Sequence, residues 1–230
     1  MCDDYDIMLI APHPDDPEFG AGGTVAAWAA DGKSIIYIIC TNGNKGSSDI
    51  EMTAEKLTYI REEEQREAAK MLGVKKVVFL GHDDQSLEDT PAFRKEIVVQ
   101  IRTYKPGVVI TTDPYRRYVW HRDHRICGQA VMDAIFPCAR DRLAYPDLIE
   151  AGLEPHKVKE IYFFGAEHTN YFSDISSTFA VKMAALRCHK SQVGKFTQEQ
   201  EDNYRKVLAK NAEGQAYELA ETFFRVVLPL

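Results

Sequence analysis

Two short clusters hold the residue types that do chemistry. In Pro12-His13-Pro14-Asp15-Asp16-Pro17 one imidazole and two adjacent carboxylates share a proline-stiffened turn, and in His121-Arg122-Asp123-His124 two imidazoles flank a third carboxylate. Pro14 biases His13 toward an extended backbone and Pro17 does the same to Asp16, so the first turn is set locally. His13 and Asp16, three apart, can converge on one divalent metal, while Asp15 between them points elsewhere and stays free as a base. A plain helix-capping turn is the simpler reading, but capping needs one carboxylate and no histidine. Two imidazoles and one carboxylate leave coordination positions open, as a hydrolytic zinc requires to hold and acidify water. The same donors also serve non-haem Fe(II) oxygenases. His121 and His124 could alternatively both ligate the metal and close a structural site.

Both clusters follow apolar runs of strand length. The first run is Ile7-Met8-Leu9-Ile10-Ala11; the glycines at 20, 22 and 23 then lead into a short helix expected over residues 24–30. A strand is expected over residues 34–40, then a polar glycine-rich loop (41–48), a helix (54–72) ended by Gly73, a strand (77–80) and a helix (91–104). Val108-Val109-Ile110-Thr111-Thr112 reads as the fourth strand. An aromatic and basic loop (115–120) carries the chain from it into a helix over about 121–135. An irregular connection (136–159), a strand (160–164), a turn plus helix (174–190) and a helical segment (197–224) broken at Gly214 complete the reading. Alternating strands and helices imply an α/β, Rossmann-like three-layer fold with a mostly parallel sheet, in one domain spanning residues 1–230. Parallel strands bring the loops at their carboxyl ends to one edge, which places the two clusters together.

The 230 residues are 45% hydrophobic and 27% charged, ordinary for a soluble globular chain, and the formal net charge of −7 with no basic block argues against nucleic acid as a partner. The acidic start Met1-Cys2-Asp3-Asp4 is unlike a signal peptide and no apolar run is long enough to span a bilayer, so a cytoplasmic location is expected. Five scattered cysteines give neither a disulfide framework nor a thiolate zinc site. Gly20-Ala21-Gly22-Gly23 is not a dinucleotide fingerprint, because Val25 stands where the third glycine would fall. No Gly-x-Ser-x-Gly elbow is present. The sequence does not fix an oligomeric state, and a homo-oligomer is compatible with it.

Ala11-Pro12-His13-Pro14-Asp15-Asp16, Gly22-Gly23-Thr24, Thr41-Asn42-Gly43, Arg61-Glu62-Glu63-Glu64 and His121-Arg122-Asp123-His124, taken in order, resemble the LmbE-like/PIG-L family of zinc-dependent N-deacetylases. The likeness runs over residues 7–192, with Arg122 where the family usually has proline. It implies Zn2+, or Fe2+ or another divalent metal on the same donors, held by His13, Asp16 and His124. It further implies Asp15 as general base toward metal-bound water, His121 as stabiliser of the oxyanion, and Asp123 as support for His121. The expected substrate is a small N-acyl, mostly N-acetyl, amino sugar or sugar conjugate; a catalytically silent metal-binding protein is the contrasting possibility.

The resemblance also puts Arg61 and His189 at the substrate, against plainer roles in a surface helix and at a helix end. Trp120, with Tyr115 and Tyr118, offers a flat face to a sugar ring, and Arg116 and Arg117 could hold an anionic aglycone. His82, Asp83 and Asp84, after the third strand, could line the same edge, though a surface turn is the simpler reading.

Overall fold

The computed structural model describes residues 4–229. The continuous apolar runs form strands buried on both sides. In β1 (Ile7–Ala11) and β2 (Ile35–Thr41) every residue is buried. Alternation sends Met8, Ile10, Ile36 and Ile38 to one face, against Phe93, Ile97 and Ile101 of α3 (Pro91–Tyr104) and Ala130 and Val131 of α4 (Arg122–Asp133). Ile7, Leu9, Ile35 and Tyr37 go to the other face, against Ala21 and Val25 of α1 (Asp16–Ala30) and Ala68 and Ala69 of α2 (Ala54–Met71). With β3 (Lys76–His82), β4 (Val108–Thr112) and β5 (Glu160–Phe164), these strands form a parallel sheet flanked by helices on both faces.

The sheet has seven strands in the order β3-β2-β1-β4-β5-β7-β6, where β6 is Tyr171–Asp174 and β7 is Ala220–Val227. The chain leaves β1 toward β2 on one side and is met by β4 on the other, so β1 and β4 flank the point where the strand order reverses. The loops after these two strands carry the two clusters. A π-helical turn (Ala134–Ala139) and α5 (Pro146–Glu150) occupy part of the connection before β5. After β6 come α6 (Phe179–Leu186), α7 (Lys190–Val193) and α8 (Gln198–Asn211).

The structure adds β6 and α5 where the sequence reading has no such element, and departs from it most at two other places. The expected helix over 197–224 stops at Asn211, and the rest forms β7, antiparallel to β5 and β6. The β-branched and aromatic run Thr222-Phe223-Phe224-Arg225-Val226-Val227 packs there as an extended strand, with Phe223 fully buried. Helix α1 starts eight residues earlier than expected, at Asp16, so its glycines lie inside it. Glycine is a weak helix former, but a Cβ at Gly20 would come within 2.5 Å of the Phe164 ring, and one at Gly23 within 2.7 Å of Ile175. The missing side chains let β5 and the segment before α6 close on the helix.

A buried ion pair enters α1 at the same place. The Phe19 carbonyl, which an uninterrupted helix would offer to the Gly23 N–H, accepts from Lys182 Nζ at 2.9 Å and from the Tyr204 hydroxyl at 3.1 Å. The N–H groups of Gly23 and Thr24 donate to Glu221 at 2.8 Å, and Lys182 Nζ lies 2.5 Å from the same carboxylate. Lys182 is wholly buried; burial opposes its charge, but Glu221 outweighs burial and raises the pKa.

Among the described residues no helix is long and apolar enough to cross a membrane. Cys40 and Cys127 are buried with their sulfurs 3.7 Å apart and unbonded, and Cys138 and Cys188 are free. Cys2 lies outside the described residues.

Removing the Glu221 carboxylate leaves a buried ammonium without its counter-ion. Glu221→Ala is expected to cost about 3–5 kcal/mol of folding stability, read as a lowered urea midpoint. A loss below about 1 kcal/mol would show that Lys182 is neutral in the folded chain.

Candidate active site

Asp16 draws the two clusters together. One of its oxygens, Oδ2, accepts from the His13 N–H at 2.9 Å and lies 3.1 Å from His13 Nδ1; the other, Oδ1, lies 3.2 Å from His124 Nε2. One donor atom from each of the three residues falls within 4.8 Å of the others, so His13, Asp16 and His124 could hold a metal ion. Asp16 is not extended, as its place before Pro17 suggested, but is the first residue of α1, where the helix dipole favours an anion. Burial would raise its pKa, yet His124 and His13 hold it well below the usual carboxylate range. The donor chemistry fits a divalent cation: one carboxylate and two imidazoles, the residue types of hydrolytic metal centres.

The turn expected from the prolines falls instead at Asp15, whose φ of 90° is a conformation that side chains rarely adopt. Two side chains hold it there. The Asp15 N–H donates to Gln65 Oε1 at 2.8 Å, and Arg61 Nη2 donates to the Pro14 carbonyl at 2.6 Å and to Asp15 Oδ2 at 3.2 Å. Asp15 is thereby engaged by Arg61 and Gln65. Burial and the neighbouring Asp16 push its pKa up to about 7, against the pull of Arg61, His189 and His13.

Arg61 is buried and not on a helix surface. Its Nη1 donates to the Gly43 carbonyl at 3.0 Å, and a Cβ at Gly43 or Gly46 would come within 2.4 or 2.7 Å of the guanidinium, so loop 42–48 closes over it only as glycine. His189 is fully buried, 2.9 Å from Glu18 Oε2, and offers no surface to a substrate. Burial opposes its protonation, but Glu18 prevails and raises its pKa. Gln65 Nε2 donates to both Glu18 oxygens, at 3.0 and 3.1 Å, which joins His189, Glu18, Gln65 and Asp15 in one chain of contacts.

In the second cluster His121 caps α4, and its Nδ1 accepts from the Asp123 N–H at 3.1 Å. Asp123 thus meets His121 through its backbone. Its carboxylate faces His13 Nε2 at 3.2 Å and accepts from the N–H groups of Gln85 at 2.6 Å and Leu87 at 3.2 Å. His124 Nδ1 is 3.4 Å from Thr112 Oγ1, and the Trp120 ring stands edge-on to His124 with centroids 4.6 Å apart. The Trp120 indole N–H donates to the Asp113 carbonyl at 2.9 Å, and Arg116 covers its ring at 4.4 Å. Trp120 is therefore a brace for His124 more than an open platform. Tyr115 and Arg117 border a separate cavity of about 760 Å³ whose lining includes none of the metal donors.

Gln65 and Glu18 are not singled out from the sequence, and Asp84 reads there chiefly as something else. Asp84, read from sequence as part of a surface turn, is buried with Oδ1 3.0 Å from His13 Nε2 yet accepting no hydrogen bond there. Its place just after β3, at the same sheet edge as the clusters, was the available signal. Burial disfavours charge on His13, but Asp123, Asp16 and Asp84 around it push its pKa up to about 12. A metal taking His13 must therefore displace a proton.

A parallel α/β sheet carrying two histidines and a carboxylate at its switch point, with a further carboxylate held beside them, defines an enzyme with a candidate metal centre. The chain belongs to the PIG-L family, GlcNAc-PI de-N-acetylase, whose model matches residues 8–135. It is 39% identical to a diacetylchitobiose deacetylase of Thermococcus kodakarensis, over 81% of this chain and 69% of that one. A probable N-acetyl-alpha-D-glucosaminyl L-malate deacetylase of Bacillus anthracis is 27% identical, over 81% of this chain and 87% of the relative. The structure of an N,N'-diacetylchitobiose deacetylase from Pyrococcus horikoshii superposes with a TM-score of 0.90 at 29% identity, covering 97% of this chain and 85% of that one.

His13→Ala, Asp16→Ala and His124→Ala should each lower the zinc retained after loading and dialysis sharply, while His121→Ala should retain it, as measured by elemental analysis. Loss of zinc from His121→Ala as complete as from His124→Ala would make His121 a ligand and overturn the three-residue set.

Proposed function

We propose that the chain is a zinc-dependent hydrolase that removes an N-acetyl group from an amino sugar or a sugar conjugate, with Asp15 as general base. The observation that carries this is the position of Asp15: a carboxylate next in sequence to a metal donor, turned away from it by a strained backbone and held by Arg61 and Gln65. The family and its named deacetylase relatives support the substrate class.

A divalent cation on His13, Asp16 and His124 would supply Lewis acidity to the attacking water and the amide carbonyl. Asp15, with a pKa near neutrality, takes the proton from that water and returns it to the departing amine. A neutral His121 whose Nδ1 accepts from the Asp123 N–H must carry its proton on Nε2, so that N–H is free to donate to the oxyanion. Desolvation lowers the His121 pKa, which favours that neutral form. Asp123 holds the loop after β3 in place, and with it Asp84. Arg61 and His189 act through Asp15 and its loop, and Trp120 through His124.

The zinc-loaded protein should release free amine from N-acetylglucosamine and its glycosides. Asp15→Asn keeps the shape but accepts no proton, and it is expected to lose about 10²–10⁴ in rate with zinc content unchanged. Turnover near the wild-type value in Asp15→Asn would move the base to another residue.

A further inference from the structure

Beside the candidate metal donors lies a cavity of about 260 Å³ that reaches from Asp16 and His124 toward α8. Its walls include the rings of Phe19, Trp120 and Phe164 and the aliphatic side chains of Val207 and Leu208. The polar groups among its lining are largely committed elsewhere. The Tyr204 hydroxyl donates to the Phe19 carbonyl, the Asn211 amide to the Ala220 carbonyl, and the Glu221 carboxylate is taken by Lys182 and the N–H groups of Gly23 and Thr24. An occupant would thus meet a mostly apolar wall, with Asp16 and His124 at the metal end and Asn211 and Thr222 as the remaining polar neighbours.

The opposite side of the site has the reverse character. Asp84, His121, Arg61 and Asp15 gather there, and none of them lines the cavity. An N-acyl amino sugar has the same two-sided chemistry: a polar ring rich in hydroxyls on the nitrogen and an apolar acyl chain on the carbonyl. Buried polar groups call for hydrogen-bonding partners and apolar walls do not.

We infer that this cavity binds the acyl group, and that it is built for acyl chains longer than acetyl, up to about four carbons, as well as for acetyl itself. The inference rests on the reading of the site as an amide hydrolase and extends it to the acyl group that hydrolysis releases as a carboxylic acid. A methyl group is close in size to a water, which takes roughly 30 Å³ in the liquid, so acetyl alone leaves most of the cavity unfilled. Each further methylene entering it exchanges water for apolar contact, worth about fourfold in binding.

The test compares N-acetyl-, N-propionyl- and N-butyrylglucosamine as substrates of the zinc-loaded protein, in wild type and in Val207→Phe, which narrows the cavity from the α8 side. The N-butyryl compound should be cleaved with a kcat/KM at least equal to that of the N-acetyl compound. Val207→Phe should shift the butyryl-to-acetyl ratio at least tenfold toward acetyl. Isothermal titration with acetate, propionate and butyrate gives a reading independent of turnover, and affinity should rise about fourfold per methylene in wild type. A butyryl sugar cleaved more than tenfold more slowly than the acetyl sugar, or equal affinity for the three acids, would overturn the inference. If no acyl sugar is cleaved while butyrate still binds more tightly than acetate, the acyl cavity stands and the sugar deacetylase reading falls.

Discussion

The carboxylate of Asp16 is the contact on which the site depends. It is one small group that reaches the turn after β1 with one oxygen and the helix after β4 with the other. A buried anion in that position is costly unless it is compensated on every side, and the compensation comes from the amino end of α1 and two imidazoles. The sheet makes the arrangement possible, because β1 and β4 pair in register from Ile7 opposite Val108 to Ile10 opposite Thr111 and so end side by side. Once Asp16 is fixed, Asp15 must turn away, since a second carboxylate directed at the same point would meet like charge. The backbone of Asp15 absorbs that constraint, and such conformations typically cost about 1–3 kcal/mol. Gln65 and Arg61, both from α2, are what hold it.

The framework was legible wherever a local signal was strong. The strands β1, β2, β4 and β5 are apolar runs bounded by glycine, proline or polar turns, and α3 lies between Pro91 and Lys105-Pro106; these elements fall close to where periodicity puts them. The failures have physical causes too. Propensity alone starts α1 after its glycines, because nothing local shows that Phe164 and Ile175 need the space those glycines leave. β7 lies between β5 and β6 as an antiparallel strand closely following a strongly helical stretch, so its short run was absorbed into the helix before it.

The site divides along the same line. His13, Asp15, Asp16, His121, Asp123 and His124 stand in two compact clusters, so residue type and spacing were enough to find them. Asp84, Gln65 and Glu18 belong to the site only through contacts with distant parts of the chain: 50 residues separate Asp15 from Gln65, and 171 separate Glu18 from His189. Arg61 and His189, expected at the substrate, are buried and contact the residues beside the candidate metal donors instead. The carboxylate of Asp123, expected at His121, is directed at His13 by the N–H groups of Gln85 and Leu87, a choice made by the loop after β3 and not by the motif itself.

The ion pair set into α1 has a bearing on how the chain is made. Glu221, which receives the N–H groups of Gly23 and Thr24, stands 197 residues after Thr24. On a ribosome adding about 5–20 residues per second, the interval between the two is roughly 10–40 s. Through that time α1, whose first residue is Asp16, has been synthesised but lacks its lateral anchor, and from the emergence of Lys182 onward that lysine also waits for its counter-ion. The helix that begins at Asp16 therefore gains this anchor only when β7 has been made, 197 residues after Thr24.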